Sequence, residues 1–290
     1  MVFVQLLING VQLGALYALM AAGFSVIFGT TRIFHCAHGA AFTLAGYAFF
    51  ECYSALRWPW PLAVVVAAAV TIAFGVLLDV LVYRPIKRHE NAFFTVFAGS
   101  FGVAIVVQNI VMLLFGREFV VASTPLSQSV AVLPEVFVSP MGVVAIGGAL
   151  LFFGGVHLFT TRTDAGIALR ALSDSPELVR AYGMSPERLS RCAFALGSLL
   201  VVPAAILTSS TTGLNASVGN HVVLVSLAAT IMGGVGSVWG AAAAGLLLGV
   251  AENLALAWLD PQWSEAVTFA MLLLVITFKP AGLFGRTLMS

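Results

Sequence analysis

Charged residues are scarce in this sequence. Asp, Glu, Lys and Arg make up 9% of its 290 residues, whereas soluble domains carry about 25%. Hydrophobic residues account for 60%, and the mean hydropathy is +1.05. The apolar runs are continuous rather than alternating, which excludes a transmembrane β-barrel. Composition therefore predicts an all-α, polytopic bundle of transmembrane helices that forms a single domain over residues 1–290.

Several function classes are excluded by what is missing. The only lysines are Lys87 and Lys279, and neither stands in a G-x-x-x-x-G-K-[ST] loop, so the chain lacks an ATP-binding motif of its own. No basic patch lies outside the loops, which excludes nucleic acid as a partner. The three cysteines, Cys36, Cys52 and Cys192, show neither metal-ligand spacing nor a disulfide framework. The sequence thus predicts a protein that is not an enzyme and has no cofactor or metal.

Apolar stretches of about 20 residues predict the membrane spans. A shorter apolar piece, 221–232, ends at Gly233-Gly234-Val235-Gly236 and is predicted to be a short broken helix beside a transport pathway. Eight or nine spans result, depending on whether this piece crosses. The eight longer spans are predicted at residues 3–28, 38–56, 60–83, 92–115, 139–160, 190–210, 237–258 and 263–279.

Lysine and arginine positions orient these spans. With the N-terminus outside and 221–232 counted as a crossing, eleven of these residues fall inside, and only Arg57 and Arg117 fall outside. A re-entrant piece instead puts Lys279 and Arg286 on the outer side. The distribution therefore favours nine crossings with the C-terminus inside. The inner set comprises Arg32, Arg84, Lys87, Arg88, five arginines of the segment 161–191, Lys279 and Arg286.

The loop 116–138 is the longer of the predicted outer connections. It contains Pro125 and Pro134 together with serines and threonines. Three roles fit such a loop: it covers the mouth of a pathway, it meets a periplasmic partner, or it is a plain connector.

The segment 161–191 is the longest charged stretch in the chain, with five arginines and four acidic residues between two apolar spans. Asp174 is predicted to cap a short helix, with Pro176 in its first turn and Glu177 as the reciprocal capping partner. Gly183 is predicted to end that helix in a left-handed conformation. Such a helix either docks a soluble partner or forms part of an ordinary cytoplasmic loop.

Polar side chains inside the spans are candidates for a translocation pathway, because at that depth they bond a neighbouring helix or face water. Glu252 either acts on a proton or an ammonium group or bonds within the bundle. His35 and His38 are three residues apart but have no evident third ligand, so a structural or pathway role is favoured over a metal site. The candidates are Asn9, Gln12, Tyr17, His35, His38, Gln108, Asn109 and Glu252.

Short motifs along nearly the whole chain carry a family resemblance. In their order and spacing they resemble LivH-type permeases, the membrane subunits of branched-chain amino-acid ABC importers. The motifs are Asn9-Gly10 with Gly14 and Tyr17-Ala18-Leu19, Ala37-His38-Gly39, Tyr83-Arg84-Pro85, Gln108-Asn109, Arg170-Ala171 with Gly183, Gly233-Gly234-Val235-Gly236-Ser237, Gly249-Val250-Ala251-Glu252 and Pro280-Ala281-Gly282-Leu283-Phe284-Gly285.

The resemblance implies that 161–191 is the loop that couples the spans to ATPase subunits, with Gly183 at its pivotal glycine. Residues expected at that coupling site are Arg170, Asp174, Pro176, Glu177, Arg180 and Gly183. The resemblance also implies three protein partners: separate ATP-binding cassette ATPase subunits, a periplasmic or other extracytoplasmic solute-binding protein, and a second, LivM-like permease that completes a heterodimeric pore.

The expected protein is therefore a multi-pass permease subunit of the bacterial inner (plasma) membrane. It translocates branched-chain amino acids or a related small solute, such as an amide or a urea-like compound, using ATP hydrolysed elsewhere. The alternative is a stand-alone secondary transporter or channel for a small solute, in which Glu252 carries protons.

Three places depart from the family pattern and leave the solute open. His35 and Cys36 stand where relatives usually have Asn-Phe. Ala40 stands where they often have Glu, and Val225 where close relatives often have Lys.

Overall fold

The computed structural model describes residues 2–87, 92–133 and 136–285. The sequence positions Arg88, Pro134 and Arg286, used above, lie outside the described residues. The α-helices are α1 (Val2–Thr31), α2 (His38–Phe50), α3 (Trp60–Leu78), α4 (Arg84–Lys87), α5 (Ala92–Phe115), α6 (Pro140–Arg162), α7 (Asp164–Asp174), α8 (Pro176–Ala181), α9 (Pro186–Thr211), α10 (Val218–Gly233), α11 (Val238–Ala255) and α12 (Ser264–Phe278).

The helix lengths confirm the predicted polytopic bundle. Seven helical segments in the described ranges are long and apolar enough to cross a membrane. α2 continues through a π-helical turn at Glu51–Ala55, and α3 continues through another at Asp79–Tyr83 into α4. α10 has only 16 residues, about 24 Å at 1.5 Å per residue, which is less than the roughly 30 Å hydrocarbon core of a bilayer.

Helix α1 lies at the centre of the bundle and packs most extensively on α11. Glycines bring the two backbones together: a Cβ added to Gly249 would lie 2.3 Å from the nitrogen of Gly14, and one added to Gly10 would lie 2.9 Å from Val250 Cα. Small residues permit this close approach. Because backbone faces backbone, the two helices form a closely packed pair.

Helix α2 begins deep in the bundle rather than at its edge. After Arg32 the chain turns back along α1, so that His38, the first residue of α2, lies with its Nε2 3.0 Å from the carbonyl oxygen of Met20. The next residue, Gly39, touches the backbone of α10 at Gly219. The segment 33–37 is therefore packed inside the protein, while Arg32 is exposed.

A hairpin of β1 (Val130–Leu133) and β2 (Val136–Val138) lies in the long loop between α5 and α6. We call this end of the bundle the outer end, and the end that carries α7 and α8 the inner end. Val120 and Leu214 exchange backbone hydrogen bonds of 2.9 Å, and the side chain of Gln5 bonds both backbone groups of Phe137. The loop is thus attached to the bundle at both sides, while its functional role stays a prediction.

The predicted glycine break is a tight turn between two helices, α10 and α11. Gly234 and Gly236 have φ of 104° and 88°, values that glycine adopts without steric cost. Leu283 and Phe284 donate backbone hydrogen bonds to Met232 and Gly233, so the C-terminal segment holds the turn. The turn lies beside Gly29, at the inner end of α1.

Candidate functional site

Two short helices form the charged segment between α6 and α9. The hydroxyl of Thr163 caps α7 by accepting a hydrogen bond from the Gly166 amide at 3.1 Å. α7 buries one face against the bundle, formed by Gly166, Ala168, Leu169 and Leu172. α8 has six residues, of which only Val179 is buried. The second helix therefore lies on the surface of the inner end.

Gly183 ends α8 in the predicted left-handed conformation, with φ of 77°. The Met184 amide donates to the Val179 carbonyl at 3.1 Å, and the Gly183 amide donates to the Arg180 carbonyl at 2.9 Å, which is the Schellman arrangement. Nothing lies within 4 Å of a Cβ added to Gly183. The glycine is therefore needed for its backbone conformation and not for space.

The predicted cap of α8 is wrong by one residue. Asp174 is the last residue of α7, and Ser175 is the cap, its hydroxyl accepting from the Leu178 amide at 3.3 Å. α7 extends to Asp174, so a single extended residue separates the two helices. Pro176 is in the first turn, as predicted. The third helical position is then Leu178 instead of Glu177, which removes the reciprocal capping partner.

The charged segment is tied to the inner end of α1. Ser173 Oγ donates to the carbonyl oxygen of Gly29 at 2.8 Å. A cavity of about 550 Å³ beside this bond is lined by Arg170 and Asp174 from α7 and by Gly236 from the α10–α11 turn, among others. Three elements therefore meet here: α7, α1 and the turn.

A second cavity at the inner end, of about 460 Å³, lies under α8 and is strongly charged. Its lining includes Arg84, Lys87 and Arg180. Asp79 also lines it and accepts a hydrogen bond from Ser190 at 2.8 Å. The cavity thus lies between α8 and the inner ends of α3–α4 and α9.

A third cavity, of about 540 Å³, opens between α2, α5 and α10. Its polar side chains come from Cys36, Thr43, Gln108 and Asn220, and the described residues that line it include no charged group. The remaining lining is apolar and includes Phe34, Phe97 and Phe101. Cavities of this size and composition suit small organic molecules.

Glycines set the wall where α2 meets α10 along this cavity. A Cβ added to Gly39 would lie 2.0 Å from the carbonyl oxygen of Gly219. Asn220 follows directly on α10, and Thr43 lies one turn further on α2. The sequence did not single out Thr43 or Asn220, although polar residues in apolar stretches are the signal that found Gln108.

Two predicted residues, Tyr17 and Glu252, meet in a cluster of five side chains. Tyr17 donates to Glu252 Oε2 at 2.8 Å, and Thr268 donates to Glu252 Oε1. His221 Nε2 lies 2.9 Å from the Tyr17 hydroxyl, and Glu265 lies 3.6 Å from His221 Nδ1. We call these five residues the Glu252 cluster. It joins α1, α10, α11 and α12 near the outer end of α12.

The two predicted histidines are buried apart from the cavities. His35 Nδ1 lies 2.7 Å from the hydroxyl of Tyr83, which donates in turn to Ser100 Oγ at 2.9 Å. The amide of Ala37 donates to the same Ser100 oxygen. These bonds fix the segment between α1 and α2 onto α3 and α5, which favours the structural role of His35.

The remaining predicted polar residues lie elsewhere. Asn9 is exposed and accepts from the side chain of Gln5 at 2.9 Å, and Asn109 is exposed and donates to the carbonyl of Ile105 on its own helix at 2.8 Å. Gln12 packs beside Gly142 of α6. Of the eight predicted pathway residues, then, Gln108 alone lines the 540 Å³ cavity.

The family pattern described as "Branched-chain amino acid transport system / permease component" matches residues 6–276 of this chain. That range holds all the helices from α1 to α11 almost complete, and most of α12. The chain belongs to this permease family. The resemblance inferred from the short motifs is thereby confirmed, as is the predicted multi-pass membrane location, since the permease has seven segments able to cross a membrane in its described ranges.

Two branched-chain amino acid permeases match this permease over almost its full length, and a xylose permease matches about half of it. The high-affinity branched-chain amino acid transport system permease protein BraD of Pseudomonas aeruginosa is 29% identical, covering 98% of this chain and 96% of its own. LivH of Escherichia coli, described in the same words, is also 29% identical over the same shares. The xylose transport system permease protein XylH of Escherichia coli is 31% identical over 46% of this chain and 35% of its own.

A solved structure shares the fold of the permease. PsaBC from Streptococcus pneumoniae in complex with Fab matches with a TM-score of 0.51 at 12% identity, covering 92% of this chain and 90% of that one. At this identity the match concerns fold alone.

Proposed function

We propose that this permease forms one half of the membrane pathway of an ABC importer, the other half being a second, LivM-like permease. Separate ATPase subunits bind at the inner end, and a periplasmic solute-binding protein delivers the solute at the outer end. The assembly works in the bacterial inner membrane. The solute is a branched-chain amino acid or a related small molecule, such as an amide or a urea-like compound.

One observation supports the ATPase contact above all: α8 and its C-cap residue present large side chains to solvent on an otherwise charged surface. Leu178 and Tyr182 are 59% and 80% exposed, and they stand beside the charged Glu177 and Arg180. Exposed apolar groups rimmed by polar ones mark protein–protein contacts. The expected partner surface is a groove in an ATPase subunit that receives this helix.

The contacts of α7 and α8 suggest how ATPase closure reaches the spans. Movement of α8 is passed to α7 through the single linking residue Ser175, and to α1 through the bond between Ser173 and Gly29. α1 in turn packs against α10 and α11. In this proposal, movement of α10 then changes the side to which the 540 Å³ cavity opens. The cavity accepts the solute when it is open to the outer side and releases it when it is open to the inner side.

Co-purification in mild detergent with mass spectrometry tests the assembly. We expect the tagged permease to carry two ATPase subunits and a different permease. Gly183→Trp should reduce the recovered ATPase at least about tenfold, because the bulky residue stands in the contact and cannot easily adopt the left-handed backbone. The second permease should be recovered as before.

Gly116→Trp is the matched control. Gly116 also has positive φ, 81°, with nothing within 4 Å of an added Cβ, but it lies in the outer loop. It should leave the ATPase bound. If Gly183→Trp is expressed normally and keeps both ATPase binding and uptake, the coupling proposal is wrong. If wild-type permease purifies alone under conditions that preserve known ABC complexes, the stand-alone transporter becomes the better explanation.

A further inference from the structure

In the Glu252 cluster, both ring nitrogens of His221 face oxygen atoms of neighbouring side chains. Tyr17 has a single hydroxyl proton and donates it to Glu252. The nitrogen Nε2 of His221, 2.9 Å from the same hydroxyl oxygen, must then be the donor. The other ring nitrogen, Nδ1, faces the carboxylate of Glu265 at 3.6 Å. A neutral imidazole carries one N–H and can serve only one of these two neighbours.

Glu252 is held as an ionised carboxylate would be. Each of its two oxygens accepts a hydrogen bond from a hydroxyl group, one from Tyr17 and one from Thr268. The residue is 3% exposed, and a buried negative charge is costly unless a positive charge compensates it. The ionisable groups facing it from the packed helices are Tyr17 of α1, His221 of α10 and Glu265 of α12. Of these, only His221 can become a cation.

We propose that the Glu252 cluster is a proton-binding site that fastens α10 to α1, α11 and α12. When His221 takes up a proton, the imidazolium donates to Tyr17 through Nε2 and faces Glu265 through Nδ1, so both links exist together. When the proton leaves, one link is lost and the opposing Nδ1 lone pair faces a carboxylate. No other bond forms or breaks. This proposal does not depend on the proposed transport function.

Protons reach the cluster from the outer end. The side chains of His221 and Glu265 are 31% and 58% exposed, while Glu252 and Tyr17 are buried. Histidine side chains change charge between about pH 5 and 8. The occupancy of the site therefore follows the pH on the outer side.

The consequence of proton loss falls on a wall of the 540 Å³ cavity. His221 directly follows Gly219 and Asn220, which both line it. α1 and α11 are held together by backbone contact between glycines, whereas α10 is the short helix that the cluster joins to them. Loss of the proton is therefore expected to loosen the outer half of α10 and with it this wall.

Hydrogen–deuterium exchange of the full-length permease in lipid nanodiscs tests the proposal without requiring transport. Exchange is measured at about pH 6 and about pH 8, and each rate is corrected for the intrinsic pH dependence of amide exchange. The protection of amides 218–224 should fall about threefold to fivefold between the two pH values, as expected for loss of one partly exposed ion pair. In His221→Gln, which cannot take up the proton, the two values should be equal.

His157→Gln is the matched control, because it makes the same change of residue on α6, where His157 packs on Trp239. This variant should show the same decrease in protection between the two pH values as wild type. If His221→Gln fails to fold, Glu265→Gln gives the same test at an exposed side chain. In this variant the decrease in protection between the two pH values should be clearly smaller than in wild type. The proposal is overturned if either cluster variant keeps the wild-type decrease in protection, or if wild type shows no decrease.

Discussion

Gln108 and Asn109 carry nearly the same side chain and are neighbours on α5, yet their surroundings differ. Gln108 lines the 540 Å³ cavity. Asn109 is exposed and bonds the carbonyl of Ile105 on its own helix. Successive residues of a helix point about 100° apart, so adjacent polar residues of a span need not share a role.

This difference predicts unequal effects on solute uptake. Gln108→Leu removes one of the few hydrogen-bonding groups of the cavity and should lower the uptake rate about tenfold, the effect of losing one hydrogen bond to the solute. Uptake into vesicles that contain the whole importer is the measurement. ATPase co-purification serves to establish that assembly is intact.

Asn109→Leu provides the comparison, since it makes the same change in polarity one residue away. It should leave uptake within about twofold of wild type. Equal losses in the two variants would mean that polarity of α5 in general, and not the cavity, determines the rate.

At the scale of elements, α8 depends on its cap because it is too short to be stable alone. Isolated helices below about 12 residues are marginal, and α8 has six. It is kept by the Ser175 cap, the Schellman end at Gly183 and the burial of Val179. Because α8 has only about one and a half turns, each of these three features contributes substantially to its stability.

Ser175→Ala should weaken α8 by about 1 kcal/mol, the usual cost of losing a serine cap. Amide exchange over residues 176–181 should become about fivefold faster. Asp174→Ala should have little effect on these amides, because Ser175 and not Asp174 caps α8. The opposite order of effects would restore Asp174 as the cap.

Helix α10 shows how an element too short for the bilayer is accommodated. It starts beside Gly39, inside the bundle, and ends at the turn held by Leu283 and Phe284. The connection before it, at Leu214, pairs with Val120 of the outer loop. Polar backbone at this depth is permitted because protein covers it.

For the whole molecule, the number of crossings decides on which side the α11–α12 loop lies. Nine crossings put this loop outside, whereas a re-entrant α10 would put it inside. In the structure the loop lies at the outer end, where the ring of Trp258 is 5.5 Å from that of Phe3 of α1. Trp258, 75% exposed in the loop, therefore distinguishes the two arrangements.

Single-cysteine labelling provides the measurement. In a background without Cys36, Cys52 and Cys192, a membrane-impermeant thiol reagent added outside intact cells should label Trp258→Cys. The exposed positions Arg117 and Tyr182 serve as references: Arg117→Cys should react from outside and Tyr182→Cys only after the membrane is opened. If Trp258→Cys behaves like Tyr182→Cys, the nine-crossing arrangement is wrong.

The sequence alone determined the class of the protein and nearly all of its helices. Hydrophobicity is a local property, so the span predicted at 92–115 coincides with α5, and that predicted at 139–160 differs from α6 (Pro140–Arg162) by at most two residues. Gly183 was also predictable, because a left-handed helix end needs a residue without a side chain. The cap of α8 was assigned to Asp174 instead of Ser175 because helix ends are set by a few hydrogen bonds that pattern alone leaves open.

Only the tertiary structure decided which polar residues meet. His221, Glu265 and Thr268 carry the same signal as Glu252, a polar group in or beside an apolar stretch, but they lie on other helices, and periodicity along one helix says nothing about the register of its neighbours. The cavity that separates Gln108 from Asn109 likewise depends on how α2, α5 and α10 approach one another. That approach follows from backbone contacts such as Gly39 with Gly219, which exist only once the helices have packed.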